Sequence, residues 1–483
     1  MNGKRVQPML RLAAIMLGGL LFCRLANGWS LANVVDDPLF SRPPVLDTGA
    51  RLPGDAQPVA CPVNVDLARP LSLADAVDLG LCNNPQIRVA WTAIKIQAAN
   101  VGEARSAYLP TAALTLSRLH TTTEYPGHPY AATYANGHTA NASVTWRLFD
   151  FGARAANREV ANRSLDAALA SHDATLQKVM SSVVKGYFDA QTAKAMLAAR
   201  TESTGLAQET FDATVARQRM GVAAQSDVLQ AATALAKARL AEQQARADER
   251  SSQATLLYAL GIDPSKSLQL GEPAYANNQS TVEDLKYWFD AAAERHPAIV
   301  AAKAQWEAAQ AKVKATRAEG LPTIDLTGNF YQNGYPNQGL QPVRSNVTTV
   351  GLTLTIPLFE GFSREYRVSS AQAAAEQSEG QFEDATHQVL TDVIKAHASA
   401  VSAATNLQSS EDLMRAAEAS FESSRRRYKR GAADILELLS VQSAFADAKT
   451  ERVRSIANWN STRLNLAAAA GVLGHHLLES GSP

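Results

Sequence analysis

The second half of this sequence repeats the first half at a nearly constant shift. Asn84-Pro85 recurs as His296-Pro297, and Tyr108-Leu109-Pro110 recurs as Gly320-Leu321-Pro322, both 212 residues further on. The pairs that lie 210 residues apart are Leu148-Phe149-Asp150 with Leu358-Phe359-Glu360, Phe211 with Phe421, Gly221 with Gly431, and Gly261 with Gly471. A register kept over most of a chain indicates a duplicated unit, so both halves are expected to fold alike.

The charge balance and the scattered histidines exclude several classes of function. The 46 basic residues are matched by 46 acidic ones, so no cationic field favours nucleic acid. The nine histidines are dispersed, and His475-His476 lacks metal-ligand spacing. No catalytic constellation and no phosphate-binding glycine loop is present. The sequence therefore predicts a protein that is not an enzyme and holds no metal or cofactor.

The first 28 residues have the pattern of an export signal. Lys4 and Arg5 precede an apolar run from Leu12 to Phe22, and small residues follow, so cleavage after Gly28 or Ala32 fits. An uncleaved anchor is the alternative. No other segment approaches the roughly 18 apolar residues that a transmembrane helix needs. The mature chain is expected to be exported.

Two cysteines remain in the exported chain, Cys61 and Cys82. In an oxidising compartment they can close a short loop as a disulfide, which would stabilise the fold by about 3 kcal/mol. Two separate buried thiols are the alternative. Residues 33–70 around the first of them are rich in Pro, Asp and Gly without a period, which predicts an extended periplasmic tether.

Each repeat combines helical patterns with two strand patterns. The first repeat, 71–262, is predicted to contain helices 71–81, 85–107, 153–220 and 225–260 and strands 111–120 and 139–149. The second, 281–472, is predicted to contain helices 281–295, 297–318, 363–430 and 434–470 and strands 323–332 and 347–358. Residues 473–483 form a tail. The helices of 153–220 and 363–430 would each reach roughly 100 Å.

The strand patterns alternate between apolar and polar residues, more cleanly in the second strand than in the first. In the second strand Ala142, Val144 and Trp146 alternate with Ser143 and Thr145, and the other three strands behave alike. Each run is about ten residues, the length of a tilted strand that crosses a bilayer. The alternative is two hairpins half-buried on a soluble core, but nothing else in the sequence resembles such a core.

Four bilayer-length strands cannot close a barrel by themselves. The smallest closed barrels need about eight strands, and an open sheet edge is not tolerated in lipid. If these strands span a membrane, several chains must therefore pool them. Two chains give a filled barrel of eight strands, whereas three chains give twelve strands and a channel. A homotrimer is predicted, with a larger number of copies as the alternative, and the polar side chains are expected to face the lumen.

The duplicated order of motifs resembles the TolC family of outer membrane factors. The residues that carry the resemblance are Asn84-Pro85, Tyr108-Leu109-Pro110 and Pro357-Leu358-Phe359-Glu360-Gly361, each at its place in a helix–strand–strand–helix unit. The resemblance covers about 71–472. It implies a mixed α/β membrane protein, a trimeric channel-tunnel with a twelve-stranded barrel in the outer membrane and an α-helical barrel in the periplasm. The implied partners are a periplasmic membrane-fusion adaptor and an inner-membrane ABC transporter.

The segment Leu81-Cys82-Asn83-Asn84-Pro85-Gln86 resembles the branch of the family that serves type I secretion. The implied function is a gated exit duct for a secreted protein cargo, such as an adenylate cyclase–haemolysin toxin. The alternative within the family is the outer-membrane channel of a multidrug efflux pump. A periplasmic adaptor and a soluble coiled-coil protein are alternatives of other classes, disfavoured by the duplication and the four amphipathic strands.

The resemblance also implies a closing contact at the tips of the helical hairpins, around Gly221 and Gly431. A tyrosine before the second glycine is expected to reach an acidic residue and a hydroxyl after the first, and Tyr428, Asp227 and Ser226 occupy these positions. Ala433 stands where the family has a basic residue, so Arg430 or Arg427 is the candidate substitute. Simple helix capping is the alternative role for Asp227.

An acidic ring at the tunnel entrance is the second implied site. Glu437 occupies its first position and Asp434 is a further candidate, but Ser440 stands at the second position. A ring of carboxylates would favour cations or basic segments. A solvated helix face is the alternative for both residues.

Overall fold

The computed structural model describes residues 37–49, 51–52, 55, 57–59, 61, 69–271, 282–333 and 345–474. The predicted signal peptide and the histidine pair in the tail lie outside the described residues. The described chain divides into two compact units, one with the strands and the helix ends next to them, the other with most of the helical residues. The units are described separately below.

The strands form one antiparallel sheet in the order β1-β2-β3-β4. Their bounds are β1 Thr111–Thr123, β2 Thr133–Phe149, β3 Thr323–Gln332 and β4 Asn346–Thr355. Strands β2 and β3 come from different repeats, so the sheet joins the two halves of the chain. β1 and β4 are its edges, and each has only one neighbour in the sheet.

The strand register sorts the side chains by polarity. Leu326 is opposite Trp146 on one side and Leu352 on the other. On the neighbouring positions Asp325 is opposite Arg147, and the two side chains form an ion pair of 2.9 Å. The register therefore collects the alternating apolar residues on one face and the polar residues on the other.

The helices of the two repeats have equal lengths. After the one-turn helix α1 (Val45–Thr48), the first repeat contains α2 Leu73–Asn83, α3 Pro85–Ser106, α4 Ala153–Arg219 and α5 Gln225–Ala259. The second contains α6 Leu285–Arg295, α7 Pro297–Ala318, α8 Ser363–Lys429 and α9 Ile435–Ala469. Corresponding helices have 11, 22, 67 and 35 residues in both copies.

Four of the long helices end in the same backbone motif. Gly221, Gly261, Gly431 and Gly471 all have φ between +69° and +75°. At Gly221, the N–H of the next residue donates to the carbonyl of Arg217, and the glycine N–H donates to that of Gln218. This is the Schellman arrangement, which needs a residue in the left-handed region and favours glycine there.

The helical unit is held together by apolar clusters that the duplication relates. Val179 and Val183 of α4 lie in a large buried cluster, and the corresponding Val389 and Val393 of α8 lie in a smaller one. A third cluster lies at the α8–α9 connection around Phe421, whose ring stacks on that of Phe445 at 5.2 Å. These clusters supply the buried surface that narrow amphipathic helices need in order to pack.

The structure differs from the expected bounds at several strand and helix ends. Strand β4 ends at Thr355 and does not continue to 358, because Thr355 pairs with Thr323, the first residue of β3 after Pro322. Strand β2 starts at 133 and not at 139, because β1 extends to Thr123 and pairs with it. Helix α2 starts at Leu73 because Ser72 caps it, with the Asp75 N–H donating to the serine hydroxyl oxygen at 3.1 Å.

The segment 33–70 is not simply extended where it is described. It contains helix α1, and Leu52 is only 3% exposed within the large apolar cluster. In the other unit, Arg105 donates to the backbone carbonyls of Leu39 and Phe40. The prediction of a tether is wrong for these residues, because they have apolar and hydrogen-bonding partners that composition does not reveal.

None of the helices that the structure describes is both long and apolar enough to cross a bilayer.

Candidate functional site

The candidate site lies where the long helices turn back, at the α4–α5 and α8–α9 connections in the helical unit. Each connection is a few residues long, after Arg219 and after Lys429. Gly221 and Gly431 close the preceding helices, and the positions that a Cβ would take at both glycines are open space. Both tips therefore contain a glycine in the left-handed region, and no other atom packs closely against the Cβ position of either glycine.

Tyr428 is buried at the end of α8 and contacts α4 of the other repeat. Its side chain is 7% exposed, and its hydroxyl lies 3.2 Å from the hydroxyl of Thr214, which is fully buried. The guanidinium of Arg217 stacks over the tyrosine ring at 4.8 Å and donates to the Tyr428 carbonyl at 2.8 Å. A cation over an aromatic ring and two polar contacts hold this tyrosine in place.

The second repeat closes its own hairpin by an ion pair. The carboxylate of Glu437, in the first turn of α9, accepts from Arg427 at 2.7 Å and from the hydroxyl of Ser424 at 2.6 Å. Arg427 also donates to the carbonyl of Ala432. Such charge-assisted bonds are shorter and stronger than neutral ones.

Corresponding residues of the two repeats make different contacts. At a shift of 210, Arg427 corresponds to Arg217, Ser424 to Thr214 and Glu437 to Asp227. In the second repeat the arginine and the hydroxyl both bind the acidic residue. In the first repeat the arginine and the hydroxyl bind Tyr428, and the acidic residue has no cation within ion-pair distance among the described residues.

Asp227 and Ser226 lie together at the start of α5. One carboxylate oxygen of Asp227 accepts from the Ala224 backbone N–H at 3.1 Å, and the other accepts from Ser226 at 3.3 Å. The described chain does not join either residue to Tyr428. The capping role that the sequence left open for Asp227 is therefore present, because its carboxylate binds a backbone N–H that the helix leaves unpaired.

The residues of the predicted acidic ring are in different environments. Asp434 is exposed at the N-terminus of α9, whereas the charge of Glu437 is balanced by Arg427. Sequence reasoning missed Thr214 and Arg217 as partners of Tyr428. The signal that could have found them is the shift of 210, which relates them to Ser424 and Arg427.

The repeated proline motifs meet the repeated glycines at the other ends of α5 and α9. The side-chain amide of Asn84 donates to the Ala259 carbonyl at 3.0 Å, and a Cβ on Gly261 would lie 2.5 Å from the carbonyl oxygen of Asn83. In the second repeat a Cβ on Gly471 would lie 2.9 Å from the His296 ring and 3.0 Å from the Pro297 ring. The contact is therefore with backbone atoms in the first repeat and mainly with side-chain atoms in the second, and both favour glycine.

His296 takes the place that Asn84 has in the first repeat. Its Nδ1 accepts from the Ala298 N–H at 3.2 Å, just as Oδ1 of Asn84 accepts from Gln86 at 2.9 Å. Burial lowers the pKa of His296 below its usual value, and Asp392 opposes this shift in part. The neutral imidazole is the form that can accept this hydrogen bond.

Cys61 and Cys82 are joined by a disulfide, with their Cα atoms 5.6 Å apart. The bond ties the segment that precedes α2 to α2 itself. No group of three or more His, Cys, Asp or Glu side chains within the described ranges is arranged to hold a metal ion.

Comparison with known proteins identifies the architecture. A model of the family described as outer membrane efflux protein matches residues 76–262 and 288–472, one segment in each repeat. The chain belongs to this family. Members of the outer membrane efflux protein family are transport ducts, so the chain is a component of the cell outer membrane with its helical part in the periplasm.

Individual relatives cover nearly the whole chain. Protein CyaE of Bordetella pertussis is 34% identical over 455 residues, which are 91% of this chain and 92% of the relative. Nodulation protein T of Rhizobium leguminosarum bv. trifolii is 28% identical over 407 residues, 83% of this chain and 85% of that one. The crystal structure of VceC from Vibrio cholerae matches with a TM-score of 0.71 at 18% identity, covering 83% of this chain and 96% of that chain. This last similarity is one of fold.

Proposed function

We propose that three copies of this chain assemble into one outer-membrane duct. The observation that carries the proposal is the four-stranded sheet, whose edges β1 and β4 each have a single partner. In a bilayer the free N–H and C=O groups of an edge strand have no water to bind, so the edges of neighbouring copies must pair. Three copies supply twelve strands, enough to enclose a channel.

The two faces of the sheet support this assembly. On the apolar face Leu114, Val350 and Leu352 are each about 70% exposed in the single chain, as expected for side chains that meet lipid. The opposite face carries the Arg147–Asp325 ion pair and rows of threonines, which suit a water-filled lumen. Outer-membrane lipid is the partner of the first face.

The duct serves type I secretion and exports a protein toxin from the cytoplasm to the exterior. This assignment is supported by the similarity to CyaE over nearly the full length of both chains and by the sequence of residues Leu81–Gln86. A periplasmic membrane-fusion adaptor and an inner-membrane ABC transporter complete the pathway, because the duct has no phosphate-binding motif for ATP. The second candidate is a channel for drug efflux, and the observation behind it is the family description as an efflux protein.

Deletion of the gene in its natural host distinguishes the two functions. For a type I duct, a large secreted protein disappears from the culture supernatant and accumulates in the cells, while the minimal inhibitory concentrations of drugs stay unchanged. Re-expression of the intact chain restores secretion. Drug hypersensitivity with normal secretion would show that the duct belongs to an efflux pump.

We propose, in addition, that Tyr428 closes the hairpin ends of the duct. Tyr428 is held by Thr214 and Arg217 within one chain, and the carboxylate of Asp227 has no cation among the described residues of that chain. Arg430 of a neighbouring copy, beside the second tip, can bind this carboxylate, whereas the other candidate, Arg427, is already paired with Glu437. Ala433 supplies no such charge. The latch thus consists of one contact within a chain and one between chains.

Glu437 and Asp434 contribute unequally to a negative entrance ring. The charge of Glu437 is already balanced by Arg427, which leaves the exposed Asp434 as the stronger contributor. A ring of three such carboxylates attracts cations and basic segments towards the entrance.

A further inference from the structure

A cleft of about 260 Å³ lies between the ends of α4 and α8, beside Tyr428. Its wall combines two kinds of side chain. Leu206, Phe421 and Leu438 supply apolar surface, whereas Arg217, Arg425 and Lys429 supply positive charge. We propose that this cleft binds a small organic anion with an apolar body and one carboxylate or sulfonate group.

The charge of the cleft is incompletely balanced. Glu209 is the acidic residue in its wall, and it binds Arg425 at 3.1 Å. Within the described part of the chain, neither Arg217 nor Lys429 lies within ion-pair distance of a carboxylate. Two cations beside an apolar wall favour a ligand that is anionic at one end and apolar at the other.

The guanidinium of Arg217 supplies one of these cations. Its Nε is buried, out of reach of a ligand in the cleft, and one terminal nitrogen donates to the Tyr428 carbonyl. A bound anion would therefore contact the other terminal nitrogen, in a charge-assisted hydrogen bond. The corresponding Arg427 needs no such ligand, because Glu437 binds it.

The shape of the cleft limits what it accepts. Its volume accommodates one or two fused rings but no helix or strand of a partner protein. The rings of Phe421 and Tyr428 in its wall are almost fully buried, and Arg425 and Arg217 lie over them at 6.0 and 4.8 Å. The charged group of a ligand in the cleft would therefore lie near these guanidinium groups.

The test is calorimetric titration of the full-length assembled protein in lipid nanodiscs with naphthalene-2-sulfonate, with empty nanodiscs as the blank. We expect one site per chain, and at least tenfold weaker binding of the neutral 2-naphthol. Lys429→Gln removes an exposed charge from the wall and is expected to weaken binding of the sulfonate about fivefold. Arg426→Gln is the matched control, since Arg426 is two-thirds exposed on the same helix turn and does not line the cleft.

Three results would overturn the proposal. They are no binding of naphthalene-2-sulfonate to the wild-type assembly, equal affinity for 2-naphthol, and an equal loss of affinity in the Arg426→Gln and Lys429→Gln variants. Binding is measured without transport, so its outcome does not depend on whether the duct serves secretion or efflux. Both variants are compared as heat-resistant assemblies, which shows that each has folded.

Discussion

Glycines with the same backbone angle have different surroundings in this protein. Gly221 and Gly261 both have φ +69°, but the first faces open space and the second lies against the backbone of Asn83 and Asn84. The sequence does not distinguish the two glycines, since both follow a long helix and both recur 210 residues later. Glycine is required at position 261 by a close contact as well as by the backbone angle, and at position 221 by the backbone angle alone.

Replacing each glycine by alanine separates the two requirements. Gly221→Ala carries only the cost of a left-handed alanine, about 1 kcal/mol in the free energy of unfolding. Gly261→Ala adds a Cβ at 2.5 Å from a carbonyl oxygen, which costs about 1–3 kcal/mol more. Thermal unfolding followed by circular dichroism should give a clearly lower midpoint for Gly261→Ala than for Gly221→Ala. Equal midpoints would contradict the close contact.

His296 makes the fold sensitive to acid. Its pKa is lowered by burial in the folded protein, while the unfolded chain has the ordinary value of about 6.5. The unfolded state therefore binds more protons at mildly acidic pH, so the contribution of His296 to stability is complete above about pH 6.5 and decreases as the pH falls. The sequence shows that His296 stands at the position equivalent to Asn84, but it does not show that the imidazole is buried.

The variant His296→Asn restores the residue of the first repeat and keeps an acceptor for the Ala298 N–H. We expect the fall in the unfolding midpoint between pH 7.5 and pH 5.5 to be smaller in this variant than in the wild type. His387→Asn, at an exposed position of α8, is the control and should follow the wild type. An unchanged pH dependence in His296→Asn would show that other groups cause the acid sensitivity.

At the scale of elements, the duplication produces equal helices with unequal contacts. Helices α4 and α8 have the same length and the same glycine end, yet α8 closes on α9 through Arg427 and Glu437 while α4 uses Arg217 to hold Tyr428. The bounds of the helices could be predicted from the sequence, because they depend on local signals such as proline, glycine and the apolar period. The side-chain contacts between helices could not be predicted, because equivalent residues in the two copies meet different neighbours.

The latch predicts a change in ion conductance when its contacts are removed. Tyr428→Phe deletes the hydroxyl that meets Thr214, and one such hydrogen bond contributes about 1 kcal/mol. Over three chains the closed state loses about 3 kcal/mol, which can raise the open fraction roughly a hundredfold. Planar-bilayer recordings of Tyr428→Phe combined with Asp227→Ala should show larger or more frequent openings. Tyr258→Phe, at an exposed position of α5, is the control, and recordings that match it would refute the latch.

At the scale of the whole molecule, the sheet is complete only when the edges of several copies meet. A single chain exposes apolar side chains on one face and leaves two strands with one neighbour each. Both features are unfavourable for an isolated soluble chain and are resolved together by a closed barrel in lipid. The subunit number then decides whether a lumen exists.

Two neighbouring residues of β4 test which face meets lipid. Leu352→Arg places a charge on the apolar face and should cost about 2–4 kcal/mol at mid-bilayer depth, so little heat-resistant trimer should reach the outer membrane. Thr353→Arg lies on the face of the Arg147–Asp325 pair and should assemble normally. The amounts of heat-resistant assembly in outer-membrane fractions measure both. Normal assembly of Leu352→Arg would reject the assignment of the lipid face.

The duplication, the helices and strands, and the alternation of the two sheet faces could be predicted from the sequence, because they depend on local patterns and on residue spacing. The folded chain was needed to show the pairing of β2 with β3, the disulfide between Cys61 and Cys82, and the partners of Tyr428 and Glu437. These contacts join residues that are distant in the chain or that differ between equivalent positions. Their choice depends on packing in three dimensions, which no local signal in the sequence encodes.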